Sequence, residues 1–420
     1  MITKMRILFV DDDQCILSSM RRTTQLRRPE WEIICAQDGK TALELQTARP
    51  VDVIVSDVMM PGMDGAVLLG LIRDRWPETI RIALSGQVGL EQVMRSIRGV
   101  HQYISKPCDG EILISKIELA IHCRSILLDP ALQKMVAQID TLPMLPRIHQ
   151  QLTDEFNAPE PSVKKIASLI TRDMALMAKV LSLINSPFFA LSHKVESVDQ
   201  AISLLGIDTL RALVLSSHLF LKYEGLGVPD MSLQLLSDHC YRVTVICRKL
   251  IALANVSQKI GSRCCMAAML HDIGKLVIAA AFPNKFNDIL MLIKHEHLTL
   301  YNAELKVFGS THAELGAYLL ALWGLEQEVV MAIGQHHSYT EFDMSEAMLL
   351  HVANVIDHNC VQLKPKRAIC KLNAQLIKTQ EQEELLNTWV LSIHDQWGDM
   401  QSIAPFKPVD LTGKNREFSD

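Results

Sequence analysis

The sequence predicts two folded parts, a doubly wound α/β domain with a parallel sheet and then an all-α domain. At 420 residues the chain is too long for one ordinary core. Up to about residue 122 it alternates short β-rich runs with amphipathic segments, and from residue 131 apolar residues recur at helical spacing. We therefore assign the first domain to residues 1–125, a linker helix to 126–141, the main helical domain to 142–345, and a C-terminal helical extension with a mobile end to 346–420.

The α/β prediction depends on five short runs that have the composition of strands. They are "RILFV" (6–10), "WEIICA" (31–36), "VDVIVS" (51–56), "IRIALS" (80–85) and "HQYIS" (101–105). Alternation with helical segments implies a parallel sheet covered on both faces. Beyond a break at Asp129-Pro130, runs such as "VKKIASLITRDMALMAKVLSLI" and "HAELGAYLLALWGL" indicate helices only.

Composition excludes several classes of protein. The hydrophobic share of 49% with 21% charged residues is typical of a well-packed globular chain. A net charge of -5 provides no strong positive field, so we do not expect a nucleic-acid partner. We predict no membrane span, because no run of about 18 uncharged apolar residues occurs. Ten scattered cysteines without a C-x-x-C pair indicate a reducing compartment, and we expect a cytoplasmic protein.

Polar residues stand where the predicted strands end. Strand one runs into Asp11 and Asp12, strand three into Asp57, strand four into Ser85 and strand five into Lys106. The carboxyl ends of parallel strands meet in one crevice, where three carboxylates would repel each other unless a cation lay among them. Oxygen ligands of this kind suit Mg²⁺. A lysine and a hydroxyl beside them can hold phosphoryl oxygens, so the crevice is suited to phosphorylation of a carboxylate.

The motifs "FVDDD", "SDVMMPGMDG", "ALSG" and "YISKP" closely resemble the flavodoxin-like receiver domain of bacterial two-component response regulators. The resemblance implies that Asp57 is the phosphoacceptor and that Asp11, Asp12 and Asp57 hold Mg²⁺. It also implies phosphoryl contacts from Ser85 and Lys106, an aromatic switch at Tyr103, and a cis Lys106-Pro107 bond. A sensor histidine kinase is the partner that this family implies, and a second copy bound through the receiver is a further candidate.

The helical part contains a second polar set, spread over several predicted helices. Imidazole and carboxylate together suit divalent iron, manganese or zinc. With one carboxylate shared, the set is large enough for two ions, which together could activate water for attack on a phosphate ester. Its members are His239, His271, Asp272, His312, His336, His337 and Asp357. We interpret His351 and His358 as structural residues, because neither has an obvious set of polar partners.

The pattern of these residues resembles the HD superfamily of metal-dependent phosphohydrolases. The segments "LPMLPRI", "LHDIGKLV" and "HAELGAYLLALWGL" more specifically resemble the HDOD domain, the HD-related output domain, over about residues 142 to 340. The resemblance implies one metal held by His239, His271, Asp272 and Asp357, and a second held by His312, His336 and His337 with Asp272 shared. Lys275 lies one turn beyond His271 and would contact a substrate phosphate.

Two hypotheses remain for the output. HDOD domains are generally signalling modules, so the first is a domain that docks a downstream signalling protein, with bound metal bracing its helices. The second is a phosphorylation-controlled phosphohydrolase or phosphodiesterase acting on a nucleotide or cyclic dinucleotide. The chain has "HHSYTEFD" where cyclic-dinucleotide enzymes carry a glycine-tyrosine-proline motif, which argues against that substrate.

One kinetic property follows from the receiver motif. Met59, two residues after the predicted phosphoacceptor, is apolar and should slow the delivery of hydrolytic water. We therefore predict a long-lived phosphorylated form. The decay of phosphorylated protein measures this directly, and a half-life of only seconds would contradict it.

Overall fold

The structure is a computed structural model. It describes residues 4–85, 99–139, 146–158, 160–185, 195, 197–204, 210, 230–296, 298–360, 372 and 375–395. The side chain of Ser85 and the predicted mobile end, residues 405–420, lie outside this description.

The first domain is built on a parallel five-stranded sheet with the order β2-β1-β3-β4-β5. Its strands are Arg6–Val10 (β1), Glu32–Ala36 (β2), Val53–Asp57 (β3), Ile80–Ser85 (β4) and Gln102–Ser105 (β5). The described helices of this domain are Gln14–Arg27 (α1), Gly39–Ala48 (α2), Gly65–Arg75 (α3) and Gly110–Ile126 (α4). The predicted doubly wound fold is confirmed.

The sheet buries both of its faces, as the continuous apolar strands predict. Successive side chains of a strand point to opposite sides. Ile7 and Phe9 of β1 therefore join the core beneath α1 and α4, whereas Leu8 and Val10 join the core beneath α2 and α3. The first of these cores continues without interruption into the helical domain.

The remainder of the described chain is helical, which confirms the all-α prediction. Its helices are Pro130–Ala137 (α5), Pro146–Phe156 (α6), Val163–Ile170 (α7), Met174–Ile184 (α8), Asp230–Ala254 (α9), Gln258–Leu270 (α10), Ile273–Ala281 (α11), Pro283–Glu296 (α12), Leu300–Phe308 (α13), His312–Leu322 (α14), Gln327–Gln335 (α15), Glu346–Cys360 (α16) and Gln380–Asp395 (α17).

One helical stretch, Gln258–Ala281, is long and apolar enough to cross a membrane by length and composition. However, 78% of its most apolar window is buried inside the protein. Two polar residues, His271 and Asp272, also divide it into α10 and α11. These features are those of a core segment of the helical domain.

The helix α5 is fixed to the receiver sheet by a buried arginine. Arg81 of β4 has no exposed surface, and its guanidinium donates to the carbonyl oxygens of Pro77, Thr79, Gly99 and, at 3.1 Å, Ala137 at the end of α5. The His101 Nδ1 accepts from the Arg81 backbone at 3.1 Å, so its Nε2 donates to Ala137 O at 2.8 Å. Burial lowers the pKa of His101 well below its usual value, which keeps the ring neutral.

The helix α14 forms a second junction between the two domains. It packs along α4 and α5, and almost every residue in it is buried. Gln102 of β5 donates to Ala321 O at 2.6 Å, and Lys116 of α4 donates to Gly324 O at 3.1 Å. Ala321 O lies in the last turn of α14 and Gly324 O lies two residues beyond it, so the receiver holds this end of the helix directly.

The opposite end of α14 lies in backbone contact with α11. A Cβ atom added at Gly274 would lie 1.8 Å from His312 O, and one added at Gly316 would lie 3.0 Å from Gly274 N. Only residues without a side chain permit two helices to approach so closely. The approach brings the start of α11, next to Asp272, against the start of α14, next to His312.

This contact predicts a large effect of Gly274→Ala. The added methyl group must push the two helices apart, at a cost of about 1–3 kcal/mol or more. We expect a lower thermal unfolding midpoint, followed by circular dichroism. Gly70→Ala in α3 is the matched control, because nothing lies within 4 Å of a methyl group added there and alanine favours helix by about 1 kcal/mol. Equal midpoints for the two variants would contradict the helix contact.

Candidate functional site

The receiver crevice brings Asp11, Asp12 and Asp57 together. One carboxylate oxygen from each lies within 4.8 Å of the others. Lys106 Nζ donates to Asp11 Oδ2 at 2.6 Å and contacts Asp57 Oδ2 at 2.7 Å. Asp11 and Asp57 are buried, whereas Asp12 is exposed. The lysine thus bridges two buried carboxylates, and the third carboxylate, that of Asp12, is in contact with solvent.

Local backbone contacts fix the loops that carry these side chains. Asp13 N donates to Asp11 Oδ1 at 3.0 Å, and the Asp13 side chain caps α1 by accepting from Cys15 N at 2.7 Å. Gly65 starts α3 and donates to Val58 O at 2.9 Å, and any Cβ there would lie 1.8 Å from Asp57 O. The glycine after the Asp57 loop therefore allows α3 to pack directly behind β3.

The other receiver residues expected from the sequence occupy the same region. Lys106-Pro107 is a cis peptide bond, as predicted. Tyr103 is half-buried against the core beneath α2 and α3. Met59 is 57% exposed, and its backbone N–H lies 3.4 Å from Asp57 Oδ1. Ser85 ends β4 beside Asp57, but its side chain lies outside the described part of the chain.

In the helical domain the histidines form two groups on either side of Asp272. One group is His239, His271 and Asp272, and the other is His312, His336 and His337. Asp272 Oδ2 lies 3.5 Å from His239 Nε2 and 3.6 Å from His271 Nε2. Asp272 Oδ1 lies 3.1 Å from His312 Nε2 and 3.9 Å from His336 Nε2. Each oxygen of this carboxylate therefore faces two imidazoles.

Four of the imidazole rings are fixed by a hydrogen bond at Nδ1. His271 contacts Ala268 O at 2.7 Å and His336 contacts Ile333 O at 2.7 Å. His239 contacts Asp357 at 2.7 Å and His312 contacts Glu304 at 2.6 Å. Carbonyl oxygens only accept and these carboxylates act as acceptors, so each Nδ1 carries the proton. The Nε2 atoms are left to point at one another, with His239 and His271 3.2 Å apart and His312 and His337 3.0 Å apart.

This arrangement fits a divalent metal. Outward Nδ1 hydrogen bonds to carboxylates or carbonyls are the usual support of metal-binding histidines. Within the described chain, the buried atoms Asp272 Oδ1 and His336 Nε2 have no hydrogen-bond partner, which is costly without a cation. Burial lowers the pKa of His271 to about 4, so its Nε2 lone pair is free at neutral pH.

Asp357 has a different place from the one that the resemblance implied. Its Oδ1 accepts from Arg242 Nε at 2.7 Å, and its Oδ2 accepts from Arg242 Nη2 at 3.0 Å and from His239 Nδ1 at 2.7 Å. Burial alone would raise its pKa, but His239 and Arg242 lower it to about 2. Both oxygens of Asp357 are therefore occupied, and Asp357 orients the His239 ring. The two groups above do not include it.

Glu304 was not predicted to belong to the cluster, and His358 was interpreted as a structural residue without polar partners. Glu304, 1% exposed, accepts from both Nδ1 and the backbone N–H of His312. Burial opposes protonation of His312, but the Glu304 charge and Asp272 raise its pKa. The His358 ring lies 4.6 Å from the His239 ring. No motif marks either residue, because only the tertiary fold brings them to the cluster.

The Lys275 side chain, which was expected to contact a substrate phosphate, is engaged by a carboxylate of the cluster. Its Nζ donates to Asp272 Oδ2 at 2.6 Å. Burial would raise the pKa of Asp272, and the positive charge of Lys275 instead holds it well below its usual range. Lys275 therefore neutralises the shared carboxylate, and a cation at this oxygen would have to share it or displace the lysine.

Comparison with known proteins agrees with this architecture. Family models of the response regulator receiver domain and of the HDOD domain match residues 7–118 and 142–339. The hydrogenase transcriptional regulatory protein HoxA of Cupriavidus necator is 32% identical over 29% of this chain and 25% of its own length. An uncharacterized protein of Treponema pallidum is 24% identical over 48% of this chain and 38% of its own length.

Two solved structures are similar to parts of this chain. The MmoQ response regulator of Methylococcus capsulatus is 23% identical, with a TM-score of 0.45, and covers 59% of this chain and 98% of its own. An HDOD domain protein of unknown function from Geobacter sulfurreducens is 19% identical, with a TM-score of 0.35, and covers 69% of this chain and 97% of its own.

The chain spans a quarter of the length of HoxA and 38% of that of the Treponema protein, so the similarities do not carry over a whole activity. The receiver match does imply a histidine kinase as phosphodonor. The chain belongs to the response regulators of two-component systems, and it joins an N-terminal receiver domain to an HDOD output domain.

Proposed function

We propose that the protein is a cytoplasmic response regulator that is phosphorylated on Asp57 and signals through a metal-bound HDOD domain, which docks a downstream signalling protein. The proposal for the HDOD domain rests on the position of Asp272, because each of its carboxylate oxygens faces two imidazoles. The receiver half is supported by Lys106, which contacts Asp11 and Asp57 at once.

In the receiver, an oxygen of Asp57 attacks phosphorus, and the bond to the donor's leaving group breaks with its electron pair. Asp11, Asp12 and Asp57 would hold Mg²⁺, which supplies neutralisation of the phosphoryl charge. Lys106 exchanges its contact with the Asp57 carboxylate for one with a phosphoryl oxygen. The modification adds about two negative charges at the end of β3, beside β4 and β5.

Phosphorylation is tested with acetyl phosphate and Mg²⁺. We expect intact-mass spectrometry to show one added phosphoryl group on the wild-type protein and none on Asp57→Ala. Asp74→Ala is the matched control, because Asp74 is an exposed carboxylate on α3 outside the crevice. Equal labelling of the wild type and Asp57→Ala would rule out Asp57 as the acceptor.

In the HDOD domain, His239, His271 and Asp272 Oδ2 would hold one ion, and His312, His336, His337 and Asp272 Oδ1 a second. Buried imidazoles favour iron, manganese or zinc over magnesium. Asp357, Glu304 and two backbone carbonyls orient the rings, so the ligand set is organised before an ion binds. A bound ion would thereby brace α9, α11, α14 and α15 as one docking surface.

A second candidate is a metal-dependent phosphohydrolase acting on a nucleotide. The observation that favours it is the carboxylate shared by two adjacent ligand groups, since paired ions supply activated water and charge neutralisation to phosphoester hydrolysis. The observation against it is the engagement of Lys275 by Asp272, which occupies the side chain expected to contact a substrate phosphate.

Metal analysis of purified protein tests the HDOD site. We expect bound iron, manganese or zinc in the wild type, and loss of most of it in His271→Ala and in the milder His337→Gln. His295→Ala is the control, because His295 is an exposed histidine on α12. Metal content that is the same in all four proteins would refute the assignment.

The same four proteins distinguish the two functions. Phosphodiester hydrolysis is measured with bis-p-nitrophenyl phosphate and with nucleotide substrates. Metal-dependent turnover that is lost in His271→Ala and His337→Gln would favour the hydrolase. Bound metal without any turnover supports the docking domain.

A further inference from the structure

We infer that the two ion sites of this protein are energetically coupled through α14, so that the state of Asp57 sets the metal affinity of the HDOD cluster and bound metal sets the stability of the phosphorylated receiver. The inference rests on the proposed function and names the regulation of the same cluster. The structural basis is that a single helix has a metal-ligand candidate at one end and receiver contacts at the other.

The first end of α14 belongs to the cluster. His312 is its first residue, and His312 Nε2 lies 3.1 Å from Asp272 Oδ1 and 3.0 Å from His337 Nε2. Glu304 holds the opposite side of the ring at 2.6 Å and the His312 N–H at 2.9 Å. A shift of the helix start therefore moves the imidazole relative to Asp272.

The other end of α14 belongs to the interface with the receiver. Ala321 O, about 14 Å further along the helix, accepts from Gln102 Nε2. Gln102 is 3% exposed and is the first residue of β5, and Lys106 directly follows the last residue of that strand. Lys106 in turn contacts Asp57. A phosphoryl group that draws Lys106 away from its present partners therefore acts on the strand that holds α14.

The material between the two ends is too tightly packed to absorb a displacement. Every residue of α14 except Glu314 is buried, and its backbone touches that of α11 at Gly274. Packed interiors transmit strain because they contain few voids. A movement of α14 must therefore either carry α11 and Asp272 with it or change the separation of His312 and Asp272.

Coupling of this kind is reciprocal. If a phosphoryl analogue at Asp57 changes the metal affinity by some factor, metal must change the affinity for the analogue by the same factor. Typical couplings between distant sites correspond to about fivefold or more. The reciprocity provides a test that a purely local effect at either site would not pass.

The experiment uses the full chain, with Co²⁺ at the HDOD cluster and beryllofluoride as the phosphoryl analogue, in excess Mg²⁺ to saturate the receiver. Visible absorption of Co²⁺ bound to imidazoles gives its affinity with and without beryllofluoride. A separate titration gives the beryllofluoride affinity with and without Co²⁺. We expect both affinities to change by the same factor, about fivefold or more.

Two variants test the route. Gln102→Leu removes the bond to Ala321 O but keeps an apolar side chain of similar size, and Lys116→Met removes the neighbouring bond to Gly324 O. Each should still bind both ligands, with a coupling factor closer to one. Gln133→Leu is the matched control, because the Gln133 amide also donates to backbone carbonyls, those of Arg124 and Leu127, and neither carbonyl belongs to α14.

Each outcome decides a separate point. Coupling in the wild type and in Gln133→Leu that falls in Gln102→Leu or Lys116→Met supports the inference. Coupling that is unchanged in both interface variants overturns the role of α14. Independent binding of the two ligands overturns the coupling but leaves the proposed function intact, whereas failure of Co²⁺ to give an imidazole spectrum removes the metal site and the inference with it.

Discussion

The geometry of the helical domain depends on one buried carboxylate. Asp272 is completely buried, and it lies between four imidazoles because α11 and α14 touch at Gly274. Removing a charge from water costs several kcal/mol, so the surrounding structure must compensate. Lys275 does so directly. The rings that face Asp272 are in turn fixed by Glu304, Asp357 and backbone carbonyls.

The receiver and the HDOD domain share one electrostatic arrangement. In each, a lysine neutralises buried carboxylates, namely Lys106 in the first and Lys275 in the second. The receiver crevice offers only oxygen ligands and includes the exposed Asp12, which suits a hydrated magnesium ion. The second site adds buried nitrogen ligands, which suit metals that give up their water more readily.

Much of this structure could be predicted because it follows from local patterns. The strands are recognisable as short β-branched runs, and the receiver residues stand at strand ends, where topology alone brings them together. Long-range pairings left no such signal. Arg242 and Asp357 are 115 residues apart, and Gln102 and Ala321 are 219 apart. Glu304 lies in an amphipathic helix, where a glutamate normally indicates a solvated face. A motif also identifies Asp357 without showing that its oxygens are already occupied.

Arg81 has a consequence for how the two domains can move. Its guanidinium and the neighbouring buried His101 ring both donate to the last carbonyl of α5. Moving the output domain away with that helix would break both hydrogen bonds to Ala137 O and expose the apolar core that continues from the receiver into the helical domain. Separation of the two domains is therefore costly, which favours small adjustments within a closed assembly over release of one module from the other.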